Sequence, residues 1–304
     1  MNNRGVIFLV GLLSFLLILQ GCEGGKKENT GERFQGSPDG VSLAFTSGKP
    51  LSQFNRGDSV PVEVILKNNG EHDIAAGEAE VKVFGVNLRS FNLMEDFKSV
   101  DTVIRGVKPS EGLDTPGEVK VDFGELRYDE EILSGVYSFT LRAKVCYLYD
   151  TLAESNVCVG STETTETGGE IACTIEGEKL KSGDVSSAPV QITSITEKLI
   201  GRDKLQIKFV VKNLGGGDVH LPDVNCDLPG DEGLLIVDVN PDEVQCFFDD
   251  GENDRGKISL DNGEETVTCF KVVSPGQEFF EDKLNIKLSY KYIDRTSTDF
   301  KVFA

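Results

Sequence analysis

Several things are scarce in this 304-residue chain, and each scarcity removes a class of function. Basic side chains are outnumbered, 31 Lys and Arg against 51 Asp and Glu, for a formal charge of −20. An electropositive groove is therefore not expected, and nucleic acid is not an expected partner. Histidine occurs only at His72 and His220, each just past the turn that ends a strand-like run, and both are expected to be solvated loop residues. The chain contains no Gly-x-Ser-x-Gly, no His-Glu-x-x-His and no phosphate-cradling glycine loop, so neither a catalytic centre nor a cofactor is expected. No two cysteines have Cys-x-x-Cys spacing, which argues against a thiolate metal site. With 10 Pro, 33 Gly, 38% hydrophobic and 27% charged residues, the composition is neither collagen-like nor disordered, and the length suits two domains.

A long apolar run is missing as well. The apolar stretch Val6–Leu19 would rise only about 21 Å as a helix, short of the ~30 Å hydrocarbon core. It reads as the hydrophobic part of an export signal over residues 1–21, with an uncleaved signal anchor as the alternative. The sequence Leu19-Gln20-Gly21-Cys22 resembles a lipobox, although Gln20 departs from the usual small or branched residue. Cys22 is the expected lipidation site, and two acyl chains there would suffice for stable anchoring. If an ordinary signal peptidase cleaves instead, Cys22 is a bystander. Residues 22–38 read as a flexible tether, which places the folded part at the cell membrane, facing the extracytoplasmic side.

What is abundant is alternation. Val60, Val62, Val64 and Leu66 repeat at period two, as do Leu205, Ile207, Phe209 and Val211, a shift of 145 residues. The same shift carries Lys67-Asn68-Asn69-Gly70 onto Lys212-Asn213-Leu214-Gly215, where Asn and Gly tolerate positive φ and end the strand in a turn. It also carries Phe139, Leu141, Ala143, Val145 and Tyr147 onto Leu284, Ile286, Leu288, Tyr290 and Tyr292, and Thr151 onto Thr296. Two runs sharing one offset indicate a duplicated domain. The fold expected is all-β: two tandem immunoglobulin-like antiparallel β-sandwiches, residues 39–160 and 171–304, joined by the Thr/Glu/Gly linker 161–170. The segment Val86–Gly117 is the least strand-like and is expected to be either a short helix or an extended loop insertion.

The run Val-Glu-Val-Ile-Leu-Lys-Asn-Asn-Gly, Val62 to Gly70, resembles the CARDB-type immunoglobulin-like module of prokaryotic cell-surface proteins. With Cys146-Tyr147 and Cys158 closing the first repeat and Asn213 to Val219 opening the second, the chain after the tether is similar to uncharacterised paired-domain surface proteins of archaea. The resemblance implies adhesion, scaffolding or spacing at a cell surface rather than one reaction.

Setting Cys22 aside leaves six cysteines, an even number in an exported chain, where disulfides persist. Cys146 and Cys158 each sit out of register with the flanking apolar residues, so a cross-strand bridge between them on an outer, polar face is expected. Cys246 and Cys269 lie in two strand-like segments and are expected to pair, leaving Cys173 and Cys226 by elimination. The acidic run Asp249, Asp250, Glu252 and Asp254 could offer oxygens to Ca²⁺ but has no EF-hand spacing, and a solvated turn fits it as well. Together these readings point to a non-enzymatic, membrane-anchored binding, scaffold or adhesion protein. Its partner would be another surface protein or an envelope polymer. The alternative is an accessory or substrate-capturing subunit of a membrane-bound surface enzyme or secretion complex.

Overall fold

A computed structural model describes residues 33–133, 135–161, 173–241 and 243–304. The signal, Cys22, most of the tether and all of the linker but Ser161 lie outside the described residues. Residues 32–304 form one compact unit. Among the described residues there is no α-helix, only a 3-10 turn at Pro109–Glu111, and no helix long and apolar enough to cross a membrane.

The all-β fold expected from the alternation is present as three sheets. The first repeat has its own three-stranded sheet, β1 (Val41–Phe45), β3 (Ser59–Asn68) and β6 (Gly117–Arg127), in the order β1-β3-β6. The second has a five-stranded one, β8 (Val190–Ile200), β9 (Lys204–Asn213), β12 (Val244–Phe248), β13 (Gly251–Asn253) and β15 (Glu264–Val272), in the order β13-β12-β15-β9-β8. In β3, burial alternates so strictly that Val60, Val62, Val64 and Leu66 are almost wholly enclosed while their neighbours are not, as period-two patterning requires.

The third sheet belongs to both repeats. It comprises β4 (Ala79–Phe84), β5 (Phe97–Ser99) and β7 (Val136–Val159) from the first, and β11 (Leu234–Asn240), β14 (Arg255–Ser259) and β16 (Phe280–Phe303) from the second, in the order β14-β11-β16-β7-β4-β5. Strands β2 (Gln53–Asn55) and β10 (Asp218–His220) add to β16. At its centre β7 and β16 run antiparallel in unbroken register over 24 residues, from Val136↔Phe303 to Val159↔Phe280. Each strand is twice the length one sandwich needs. The second half of β16 therefore crosses into the first repeat, where Phe300 packs among Phe54, Phe91 and Phe139 at centroid distances of 5.5, 5.5 and 5.7 Å. The second half of β7 crosses the other way, to lie against β8.

The sheets do not divide at the expected boundaries of 39–160 and 171–304, because β7 and β16 pair along their whole length in one shared sheet. The structure also revises the offset. Leu148 faces Lys291, and Tyr147 and Tyr290 make matching contacts, so the shift along these strands is 143 residues, not 145. Thr151 consequently has no repeat partner in Thr296. Both shifts are odd and differ by two, so the buried face is the same under either.

The long strand also corrects the cysteines. Cys146 and Cys158 lie on one continuous β7, twelve residues or about 40 Å apart, and cannot meet. Both do lie on the face opposite the core residues of β7, as expected, but they are buried there rather than exposed on a polar surface. Cys146 is bonded to Cys226, Cys158 to Cys173, and Cys246 to Cys269 across β12 and β15. Each disulfide of the first two ties down a long connection that lies over β7. The Val86–Gly117 segment is an extended insertion with one short strand, β5, anchored by buried Phe91, Leu93, Val100 and Ile104.

Because Phe300 fills the first sandwich from the second repeat, Phe300→Ala is expected to destabilise the protein by about 3–5 kcal/mol in urea unfolding. A chain ending at Tyr292 is expected to lose hydrogen-exchange protection in β3, although β3 itself is untouched. Wild-type protection of β3 in that truncation would show that the exchange of half-strands is dispensable.

Candidate functional site

The repeats meet at four tyrosines, Tyr147 and Tyr149 on β7 and Tyr290 and Tyr292 on β16, all on the inner face of the shared sheet and all buried. Neighbouring rings lie 5.5 to 6.4 Å apart, tilted or edge-on, the geometry aromatic quadrupoles prefer. Each hydroxyl is committed. Tyr149 donates to Asn68 Oδ1 at 3.0 Å, and Tyr292 donates to Asn213 Oδ1 at 3.2 Å. The same two asparagines close their own turns through Nδ2, Asn68 to the His72 carbonyl at 2.6 Å and Asn213 to the Gly217 carbonyl at 2.9 Å. Tyr147 accepts from the Val41 amide at 3.2 Å, and Tyr290 from the Val190 amide at 3.3 Å. Thr151 Oγ1 spends its proton on the Val190 carbonyl, so Tyr290 donates to it across 3.0 Å.

This belt explains the Asn-x-Gly motif differently from the sequence reading. Gly70 and Gly215 do not adopt positive φ. They are glycine because a Cβ at either would stand 2.1 Å from a tyrosine hydroxyl, of Tyr149 and Tyr292 respectively. The tyrosines went unread in the sequence because they looked like two more apolar positions in an alternating run. Burial raises the pKa of Tyr147, Tyr149 and Tyr290 far above the usual phenol range and pushes that of Tyr292 up to about 12, so the belt stays protonated and acts through hydrogen bonds.

Above the belt a groove of about 300 Å³ opens between the repeats, with Tyr147 and Tyr292 at its floor, Asp39 and Asp294 on its rim, and Gly215 and Gly216 in one wall. The Asp294 carboxylate accepts from the Arg295 amide at 2.7 Å, and Asp39 bonds to the Ser37 hydroxyl. A larger cleft of about 580 Å³ lies on the outer face of the shared sheet, where Thr140 donates to Asp299 at 2.6 Å beside Ser138 and Lys301.

Neither histidine is the solvated loop residue expected. His220 is buried within β10, its Nδ1 3.0 Å from the Asp231 carbonyl oxygen. His72 packs edge-on against Tyr149 at 5.1 Å, with Nδ1 3.8 Å from Asp150, itself 2.8 Å from Lys287. Burial lowers the His72 pKa below the free-imidazole value, against the opposing pull of Asp150. Glu197 has a fully enclosed side chain that accepts from the Cys158 amide at 2.9 Å and pairs with Lys179 Nζ at 2.7 Å, and burial raises its carboxyl above the usual range.

The acidic run does not gather. Asp250 accepts from the Lys257 amide at 2.9 Å, Glu252 sits within β13, and Asp254 follows it. Among the described residues no three His, Cys, Asp or Glu side chains group as a metal site, at Asp249–Asp254 or elsewhere.

No family model matches the chain, and no curated protein does. Among solved structures, Escherichia coli alpha-2-macroglobulin activated by porcine elastase aligns with 86% of this chain and 32% of its own length. The identity is 9% and the TM-score 0.11, a likeness too slight to carry fold or function.

Two outcomes follow. Gly70→Ala and Gly215→Ala are each expected to cost about 1–3 kcal/mol in urea unfolding, by driving a methyl group into a buried hydroxyl, whereas Gly216→Ala, where a Cβ meets nothing within 4 Å, is expected to be near neutral. For His72, the folded pKa lies below the unfolded one, so its contribution is intact above about pH 6.5 and is lost as pH falls through the folded value. Melting curves from pH 7.5 to pH 5 should therefore slope less steeply in His72→Gln than in the wild type.

Proposed function

We propose that this protein is a non-enzymatic, extracytoplasmic binding or scaffold module, held at the cell membrane through lipidated Cys22. The observation that carries this reading is the interlock of the two repeats. Two sandwiches that complete each other's sheets, with all six described cysteines in disulfides, make a stiff body suited to holding surfaces at a fixed geometry. The three disulfides support an oxidising setting outside the cytoplasm. The titratable groups that burial perturbs are spent on structure. The phenols hold turns, His72 packs edge-on against Tyr149, and Glu197 is tied to Lys179. The architecture also suits the expected relationship to CARDB-type surface modules.

Cross-linking of intact cells that express the protein, followed by its purification and mass spectrometry, tests the role. Recovery of self-links or envelope polymer is the expected outcome. One heavily enriched membrane complex would make it an accessory subunit instead. For the anchor, Cys22→Ser is expected to move the protein from the membrane fraction to the soluble one, and retention in the membrane would assign the attachment to residues 1–21.

A further inference from the structure

The outer face of the five-stranded sheet carries a charge of the wrong sign for this chain. In β9 the outward residues are the even ones, since Leu205, Ile207, Phe209 and Val211 are buried. Register then fixes their neighbours. Gln206 lies between Lys198 on β8 and Phe270 on β15, Lys204 faces Val272, and Lys208 faces Thr268, which in turn faces Phe247 on β12. Lys198 is thus diagonal to both Lys204 and Lys208, with backbones about 8 Å apart from strand spacing and rise. The three lysines flank Gln206 in the register of the sheet.

All three lysines are exposed. Among the described residues none of them has a carboxylate within 4.0 Å, although the chain holds 51 acidic residues, and most other described lysines are paired. Beside them Phe247 is 48% and Val272 72% exposed, and Phe247 meets Phe270 edge-on at 5.7 Å. The first repeat's equivalent face differs. There β6 presents Glu118, Lys120, Asp122, Glu125 and Arg127 in mixed sign, with no aromatic ring. The feature is therefore particular to the second repeat and not a by-product of the fold.

We propose that this face binds an anionic polysaccharide, laid across β8, β9 and β15. A flat sheet cannot enclose a small molecule, so the occupant is an extended chain. Unpaired ammonium groups call for carboxylate or sulfate substituents, the Gln206 amide suits hydroxyls, and exposed Phe rings take the C–H faces of sugars. The bilayer is the less fitting anionic surface. Arg33 and Phe34, where the described chain begins, line a cavity on the outer face of the shared sheet with Leu152 and Glu154, so the chain enters on the opposite side of the sandwich. The inference rests on the extracytoplasmic binding reading and names the class of partner.

The test is biolayer interferometry of the full-length detergent-solubilised protein against heparin, polygalacturonate, neutral dextran, phosphatidylglycerol vesicles and single-stranded DNA. Binding to heparin and polygalacturonate but not dextran is expected, weakening with salt. Lys198→Glu/Lys204→Glu/Lys208→Glu should weaken it by about tenfold or more, whereas Lys67→Glu/Lys120→Glu on the first repeat should leave it unchanged. If the triple Glu variant melts below wild type, the triple Gln variant replaces it, with a smaller loss expected. The proposal is overturned if no glycan binds, if dextran binds equally, if the lysine variants bind as wild type, or if vesicles or DNA bind more tightly than either glycan. Failure here, with the cross-linking result intact, would remove the glycan and keep the scaffold.

Discussion

The antiparallel pairing of β7 with β16 is the constraint on which the rest depends. Because both strands run twice the length of a sandwich and meet in one register, the pairing alone decides that there is a single body, that each core borrows residues from the other repeat, and that four tyrosines come together at the crossing. Position along these strands also decides what the covering loops must do. The connection carrying Cys226 closes over the buried face of Cys146 and Ile293, where Lys144 Nζ and Lys291 Nζ each reach a loop carbonyl, of Cys226 and Val224, at 2.8 and 2.6 Å. The Cys173 connection does the same beside Glu197.

The tyrosine belt shows how polar atoms can specify an otherwise generic apolar junction. Ring burial supplies the attraction, while the hydroxyls fix each strand within its own repeat, Tyr147 at Val41, Tyr149 at Asn68, Tyr290 at Val190 and Tyr292 at Asn213, and the Tyr290 bond to Thr151 ties the two strands together. The two glycines record the same requirement from the other side, as places where the turn has to come within reach of a phenol.

The strands, the duplication and the all-β class were legible because period-two burial is written directly in β3 and β9. The exact offset in β7 was not, because a two-residue error preserves the face and therefore the pattern. The cysteine partners escaped for a related reason. Alternation reports which side a residue faces, not how long a strand runs, and an uninterrupted β7 separates two cysteines that a hairpin would have joined. His72 and His220 were misread because a polar residue after a turn is ordinarily wet, whereas His72 packs against Tyr149 and His220 pairs into β10 beside the Asp231 carbonyl. The cationic face on β9 was in view as Lys204, Lys208 and their neighbours, but an overall charge of −20 concealed it, since a sum carries no address.

The shared strands also set how the molecule answers to pulling. A load that draws the two sandwiches apart along β7 and β16 meets their hydrogen-bonded rungs side by side, in shear, so that many must fail together, whereas peeling at one end would break them singly. The duplication, in joining two small domains through their longest strands, has made a strut whose weakest direction is bending off the sheet and whose strongest lies along its own backbone.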